Sequence, residues 1–194
     1  GTSVGEFAKL RLGDKQVELP IVVGCEGEHA LDISKLRAET GYITLDEGYV
    51  NTGSAVSDIT YLDGEKGILR YRGYSIEELA ANCDFIEVSY LLLYGELPSN
   101  EQLANFRAAL RRHTMLHEDM RSFYNGFPRD AHPMAILGSV VGALSTFYQD
   151  YLDPKDPHQV EISIHRLMAK LPTIAAFSYK KSVGQPLLYP FHKL

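Results

Sequence analysis

The run MAILGSVVGALSTF (134–147) constrains this chain more than any other stretch. It carries no charge and is apolar on nearly every helical face, so in water it needs protein packed around most of its circumference. A bilayer-spanning helix needs about 20 apolar residues. This run is shorter, so it reads as a helix buried in a core or an interface. His132-Pro133 mark its start, because proline's missing N–H costs nothing in the first turn. Gly138, Ser139 and Gly142 would let another backbone come close.

The rest of the chain changes character near residue 72. Before it, KLRLG (9–13) and QVELPIVV (16–23) flank Gly13-Asp14, and DITYLD (58–63) and ILRYRG (68–73) flank GEKG; both patterns predict hairpins. After it, helix starts dominate. Ser75 with Glu78 and Ser99 with Gln102 have capping-box spacing, and Asp84 with Glu87 resembles a third start. One helix is expected from about Glu101 towards Met120, with Leu103, Phe106 and Leu110 on one face. Another is expected over about 159–180, with Ile164, Leu167, Met168 and Leu171 as its apolar stripe, Arg166 and Lys170 on the opposite face, and a kink at Pro172. The predicted fold class is mainly α: a small β-rich N-terminal region over 1–72, then a helical body over 73–194.

Composition narrows the function classes. The chain has 194 residues, 45% hydrophobic and 23% charged, within the globular range. A net charge of −6 argues against a general nucleic-acid binder. Cys25 and Cys83 cannot build a disulfide framework or a thiolate zinc site, which fits a reducing compartment. The start GTSVGEFAKLRLG lacks the apolar core of a signal peptide. The expectation is a cytoplasmic protein with no nucleic-acid or membrane partner.

The stretch RRHTMLHEDM (111–120) holds the chemistry candidates. His113 and His117 have the i, i+4 spacing of a metal-binding helix, but no glutamate follows the first and no third ligand is marked nearby. On an unbroken helix both would share the side of Phe106 and Leu110, so packing is favoured and no metal is expected. Arg166 and Lys170 are a like-charge i, i+4 pair, which repels by about 0.2–0.5 kcal/mol on an isolated helix. Either the face is solvated or an anion sits between them, with Arg111 and Arg112 as a possible second arm. Phosphate-loop, dinucleotide-fold and nucleophile-elbow motifs are missing. Cys83 reads as a small buried residue.

Six collinear segments resemble the citrate synthase family: ITYLDGEKGILRYRGYSIEEL (59–79), FIEVSYLLLYGELPS (85–99), RHTMLHE (112–118), RDAHPMAILGSVVGALSTFY (129–148), RLMAKLPTIAA (166–176) and VGQPLLYP (183–190). The subgroup most resembled is the bacterial hexameric, NADH-regulated type, which carries an extra N-terminal β-region, as residues 1–50 do here. The resemblance implies part of a large helical domain. It implies condensation of acetyl-CoA with oxaloacetate to citrate and CoA, without a metal or other required cofactor, by general acid–base and electrostatic catalysis. In the family the catalytic aspartate and histidines lie beyond the equivalent of Leu194, so no catalytic residue is carried onto this chain and the 194-residue polypeptide is expected to be inactive by itself.

The resemblance also implies an allosteric site for the inhibitor NADH at Arg112, His113, Thr114, Met115, Tyr148, Arg166 and Lys170. All seven residue types are present. Two positions depart from the family pattern: Pro128 stands where an arginine is common, and Phe191-His192-Lys193 replace Arg-Asn-Asp. The implied assembly is a homodimer that builds a hexamer, with the helices of about 131–149 and 159–180 at the dimer interface. The alternatives are a 2-methylcitrate synthase fragment, which would use propionyl-CoA, and a non-catalytic nucleotide-binding or assembly module of the same fold.

Overall fold

The computed structural model describes residues 3–189, which divide into two compact units between Glu77 and Glu78. In the first unit, strands β1 (Ser3–Leu12) and β2 (Lys15–Val23) form the first expected hairpin, and β3 (His29–Leu31) adds to the far side of β2. Leu12 pairs with Lys15 across a turn in which Gly13 takes φ +62°, a conformation most side chains resist. Val17 and Leu19 alternate with polar neighbours on β2 and are buried against Leu36 of helix α1 (Leu36–Thr40). Lys15 Nζ donates to the Thr40 carbonyl at 2.8 Å, tying the helix end to the start of the strand.

The second expected hairpin is β4 (Thr60–Asp63) with β5 (Ile68–Tyr71), extended by the short β6 (Tyr74–Ser75). Asp63 Oδ1 accepts from the backbone N–H groups of Glu65 and Lys66, which closes the loop locally.

Helices dominate from α2 (Ile76–Asn82) onwards. Helix α3 (Phe85–Tyr94) opens with the Asp84–Glu87 capping box and closes on Gly95 at φ 92°. Helix α4 (Asn100–Arg112) opens with the Ser99–Gln102 box and packs Phe106 and Leu110 against Ala169. A short α5 (Met120–Asn125) follows, then α6 (Pro133–Phe147) and α7 (Pro157–Ser182), which runs on through Pro172. The main core gathers Leu116, Met120, Tyr124, Ile136, Val140, Leu144, Ile174 and Phe177 from α5, α6, α7 and the loop before them. Burial of each large aliphatic or aromatic side chain there contributes about 1.5–3 kcal/mol. Among the described residues no helix is long and apolar enough to cross a membrane.

Two expectations are corrected. Helix α4 stops at Arg112 rather than continuing towards Met120, and His113 is its C-cap. The next carbonyls take side-chain donors from α7 instead of helical N–H partners, so tertiary contacts override local helix preference. On α7 the expected faces are exchanged in part: Met168 packs on the Phe106 cluster, but Leu167 and Leu171 are 45% and 42% exposed, whereas Lys170 is 3% exposed. The stripe that packs is Ala169, Lys170, Thr173, Ile174, Phe177 and Ser178. Helix α6 is apolar all round yet buries one narrow stripe within the chain, at Ile136, Val140 and Leu144. Met134, Gly138, Ser139 and Gly142 on its other side are exposed among the described residues.

Candidate functional site

The end of α4, the end of α6, a 3-10 turn at Gln149–Tyr151 and the middle of α7 surround one cationic cluster. Helix α7 starts cleanly because Asp156 accepts from the N–H groups of His158 and Gln159 and Pro157 occupies the first turn. Ser163 Oγ donates to the Tyr151 carbonyl at 3.0 Å, which fixes the 3-10 turn against α7. The Arg166 guanidinium then packs on two phenol rings, 4.7 Å from the Tyr148 centroid and 4.5 Å from that of Tyr151. Its Nε and Nη1 are buried and have no hydrogen-bond partner.

One turn further along α7, Lys170 Nζ donates to the His113 carbonyl at 2.7 Å and to the Met115 carbonyl. Its ammonium is 4.9 Å from the Tyr148 centroid. Burial, and then the neighbouring Arg166 charge, push the Lys170 pKa down to about 8. The two carbonyls work in the opposite direction, since they favour the charged form. Thr173 Oγ1 donates to the Thr114 carbonyl at 3.4 Å, and Thr114 Oγ1 donates back to Arg111 at 3.1 Å.

His113 sits among these cations. Its pKa is lowered by burial first, then by Arg166, Lys170, His165 and Arg112. Among the described residues no carboxylate pairs with Arg166 or Lys170. A buried cationic cluster without an anionic partner is unfavourable as it stands and attracts an anion. Beside it lies a cleft of about 200 Å³ lined by Val141, Leu144, Tyr148, Tyr151, Arg166 and Leu167, among others. Pockets for drug-sized ligands run to about 300–1,000 Å³. This cleft is therefore smaller than a pocket that encloses a whole drug-sized ligand.

Of the seven residues singled out by sequence, His113, Tyr148, Arg166 and Lys170 converge side by side, with Thr114 and Met115 meeting them through their backbones. Met115 is 44% exposed, and Arg112 is exposed at the last turn of α4. Pro128 lies in the loop before α6, and Phe191, His192 and Lys193 fall outside the described residues. Sequence reasoning missed Tyr151 and His165. Tyr151 follows a helix break, which hides its relation to Arg166. His165 Nε2 is buried without a partner while its ring packs on Phe106 at 5.4 Å.

His117 is corrected as well. It is not on a helix with His113; its ring lies 5.2 Å from that of Phe147, and its Nδ1 accepts from the Asp119 N–H at 3.3 Å. Cys83 is half-buried, and burial followed by the Glu87 and Asp84 charges pushes its thiol pKa up, away from thiolate chemistry.

Residues 48–194 match the family described as "Citrate synthase, C-terminal domain". Citrate synthase 1 of Mycobacterium tuberculosis is 58% identical over 97% of this chain and 44% of its own length. Citrate synthase of Corynebacterium glutamicum is 51% identical over 92% of this chain and 41% of its own. The chain thus spans less than half the length of these curated relatives. Among solved structures, citrate synthase from Pyrobaculum aerophilum aligns with a TM-score of 0.64 at 29% identity, covering 98% of this chain and 44% of that one. The Thermotoga maritima enzyme aligns with a TM-score of 0.65 at 27% identity, covering 78% and 38%. The Thermoplasma acidophilum enzyme, in complex with carboxymethyl coenzyme A and oxaloacetate, shares the fold with a TM-score of 0.69 at 22% identity over 76% of this chain and 39% of its own. With a family match over most of its length and relatives of this identity, the chain belongs to the citrate synthase family.

Proposed function

We propose that this chain forms part of the large helical domain of a citrate synthase, a transferase that condenses acetyl-CoA with oxaloacetate to give citrate and CoA. The observation that carries the reading is the 58% identity to a citrate synthase over 97% of the chain. The chemistry needs no metal or other cofactor: a base removes the methyl proton of acetyl-CoA, and hydrogen-bond donors stabilise the enolate. None of the described residues is assigned to those steps, and the 1–194 polypeptide alone is proposed to be inactive. The test uses protein made from its uninterrupted reading frame. Thiol release that requires both acetyl-CoA and oxaloacetate is expected. Absence of release would sink the reading, and a preference for propionyl-CoA would favour 2-methylcitrate synthesis.

The cluster at Arg112, His113, Thr114, Met115, Tyr148, Arg166 and Lys170 is proposed as an allosteric site for NADH. Its support is the unpartnered, buried edge of Arg166 beside two aromatic rings, with no carboxylate paired to it. Phosphate would supply the missing acceptors, and a ring system could occupy the apolar cleft. Substitution Arg166→Gln is expected to weaken NADH inhibition at least tenfold; unchanged inhibition would remove Arg166 from the site. A homodimer assembling to a hexamer is proposed on the strength of the exposed Met134, Gly138 and Gly142 face of α6, and light scattering of a stable monomer would count against it.

A further inference from the structure

Arg166 keeps two donors, Nε and Nη1, that are both unpartnered and shut away from water. The second property matters as much as the first. An anion bonds only to a donor it can reach, so the cleft beside Arg166 is not open to those two donors as it stands. A group packed on the guanidinium has to move before they take a ligand.

The two rings packed there are held differently. Tyr148 caps the end of the 15-residue helix α6 and packs against the main core. Its ring also meets the Lys170 ammonium at 4.9 Å, and its hydroxyl lies against the His117 backbone. Tyr151 ends a 3-10 turn of three residues. That turn is tied to α7 through its backbone, where Ser163 Oγ donates to the Tyr151 carbonyl at 3.0 Å. The Tyr151 hydroxyl has no hydrogen bond among the described residues. The ring is half-buried, and its recorded contact is the Arg166 guanidinium at 4.5 Å. Turning it aside is a side-chain rotation that leaves the backbone bond to Ser163 intact and needs no unfolding.

We infer that Tyr151 is a movable aromatic cover on Arg166: its ring closes the ligand-free site, and an anion reaches the free donors by turning it aside. The inference rests on the reading of this cluster as an inhibitor site. The anion exchanges the cation–π contact of Tyr151 for charge-assisted hydrogen bonds to the guanidinium. Tyr151 thereby lowers the affinity of the site for a bare anion, which has to displace the ring and brings none of its own.

Modification of Arg166 by phenylglyoxal, followed by peptide mass spectrometry on the full-length protein, reads whether the guanidinium is covered. Exposed Arg129 serves as the internal reference. In Tyr151→Ala, Arg166 is expected to react at least tenfold faster than in the wild type while Arg129 is unchanged. An unchanged rate at Arg166 would overturn the inference. Tyr151→Phe keeps the ring and should react as slowly as the wild type; a rate matching the alanine variant would overturn it too. Should the alanine variant lose its melting transition, Ser163→Ala decides, because it frees the turn and leaves both the ring and Arg166 in place. Faster modification of Arg166 there supports the cover, and the wild-type rate refutes it. Inorganic phosphate should slow the reaction of Arg166 at a concentration at least tenfold lower in Tyr151→Ala than in the wild type; equal protection of the two proteins would count against the inference. If neither phosphate nor NADH protects Arg166 in any of these proteins, the inhibitor reading fails, and the ligand-free rates still decide whether Tyr151 covers the guanidinium.

Discussion

The hydroxyl of Tyr124 donates to the main-chain carbonyl of Ile174 at 3.1 Å, joining α5 to the middle of α7 in the centre of the main core. Tyr124 is 0% exposed, and burial pushes its pKa up to about 12. Ser178 Oγ reaches the same carbonyl at 2.8 Å, so removing the phenol oxygen does not leave that acceptor bare. Tyr124→Phe is therefore expected to cost only about 1 kcal/mol in urea unfolding, the ordinary net value of one hydrogen bond. A loss above about 3 kcal/mol would mean that packing around the ring, rather than the bond, had been disturbed.

Arg166 trades stability for its free edge. Two cation–π contacts stabilise it by about 0.5–2 kcal/mol each. Two buried, unpartnered donors cost about 1–3 kcal/mol each, and more when they belong to a charged group. The second effect outweighs the first, so Arg166→Leu is expected to raise the unfolding free energy of the ligand-free protein by about 1 kcal/mol. Denaturant unfolding without ligand gives the sign; a clear drop in stability would show that the guanidinium is satisfied where it lies.

Asp84 has two roles that substitution can separate. It accepts from the N–H groups of Ile86 and Glu87 at 2.9 Å and pairs with Arg107 across to α4. Asparagine keeps the cap and loses the ion pair, which is half-exposed and contributes at most about 1 kcal/mol. Alanine loses both, adding a cap loss of about 1 kcal/mol. The expected order of melting temperatures is wild type, then Asp84→Asn, then Asp84→Ala.

His113 supplies a pH signature. Its pKa is held below the ordinary 6.5 by burial first and then by the surrounding cations. The unfolded chain therefore binds the proton more readily than the folded one. The stability contribution of the neutral ring is fully present above pH 6.5 and is lost as pH falls through the folded value. The stability difference between wild type and His113→Gln should be constant above about pH 7, and below it the wild type should lose stability relative to the variant. A gain of wild-type stability relative to the variant on acidification would reverse the sign of the linkage and refute the assignment.

Both hairpins and the capping boxes at Asp84 and Ser99 were legible in the sequence because each depends on residues within a few positions of one another. Gly13 answers a demand of its own turn, and Glu87 and Gln102 answer their own N-caps. The members of the cationic cluster could be picked out by family resemblance, but their arrangement could not. Tyr151 was invisible because its relation to Arg166 passes through a 3-10 turn and a serine on another element.

The sequence by itself determined the small β-rich start, the helix starts and the presence of unusual cations on α7, since backbone propensity and capping act over one or two turns. Only the tertiary structure decided that α4 ends at Arg112 and that α7 turns Lys170 inwards and Leu167 outwards. Periodicity sorts side chains by polarity and so sent Lys170 to the solvent. What reverses the sorting is a set of backbone carbonyls more than fifty residues away, and their need for donors cannot be read from the helix that supplies them.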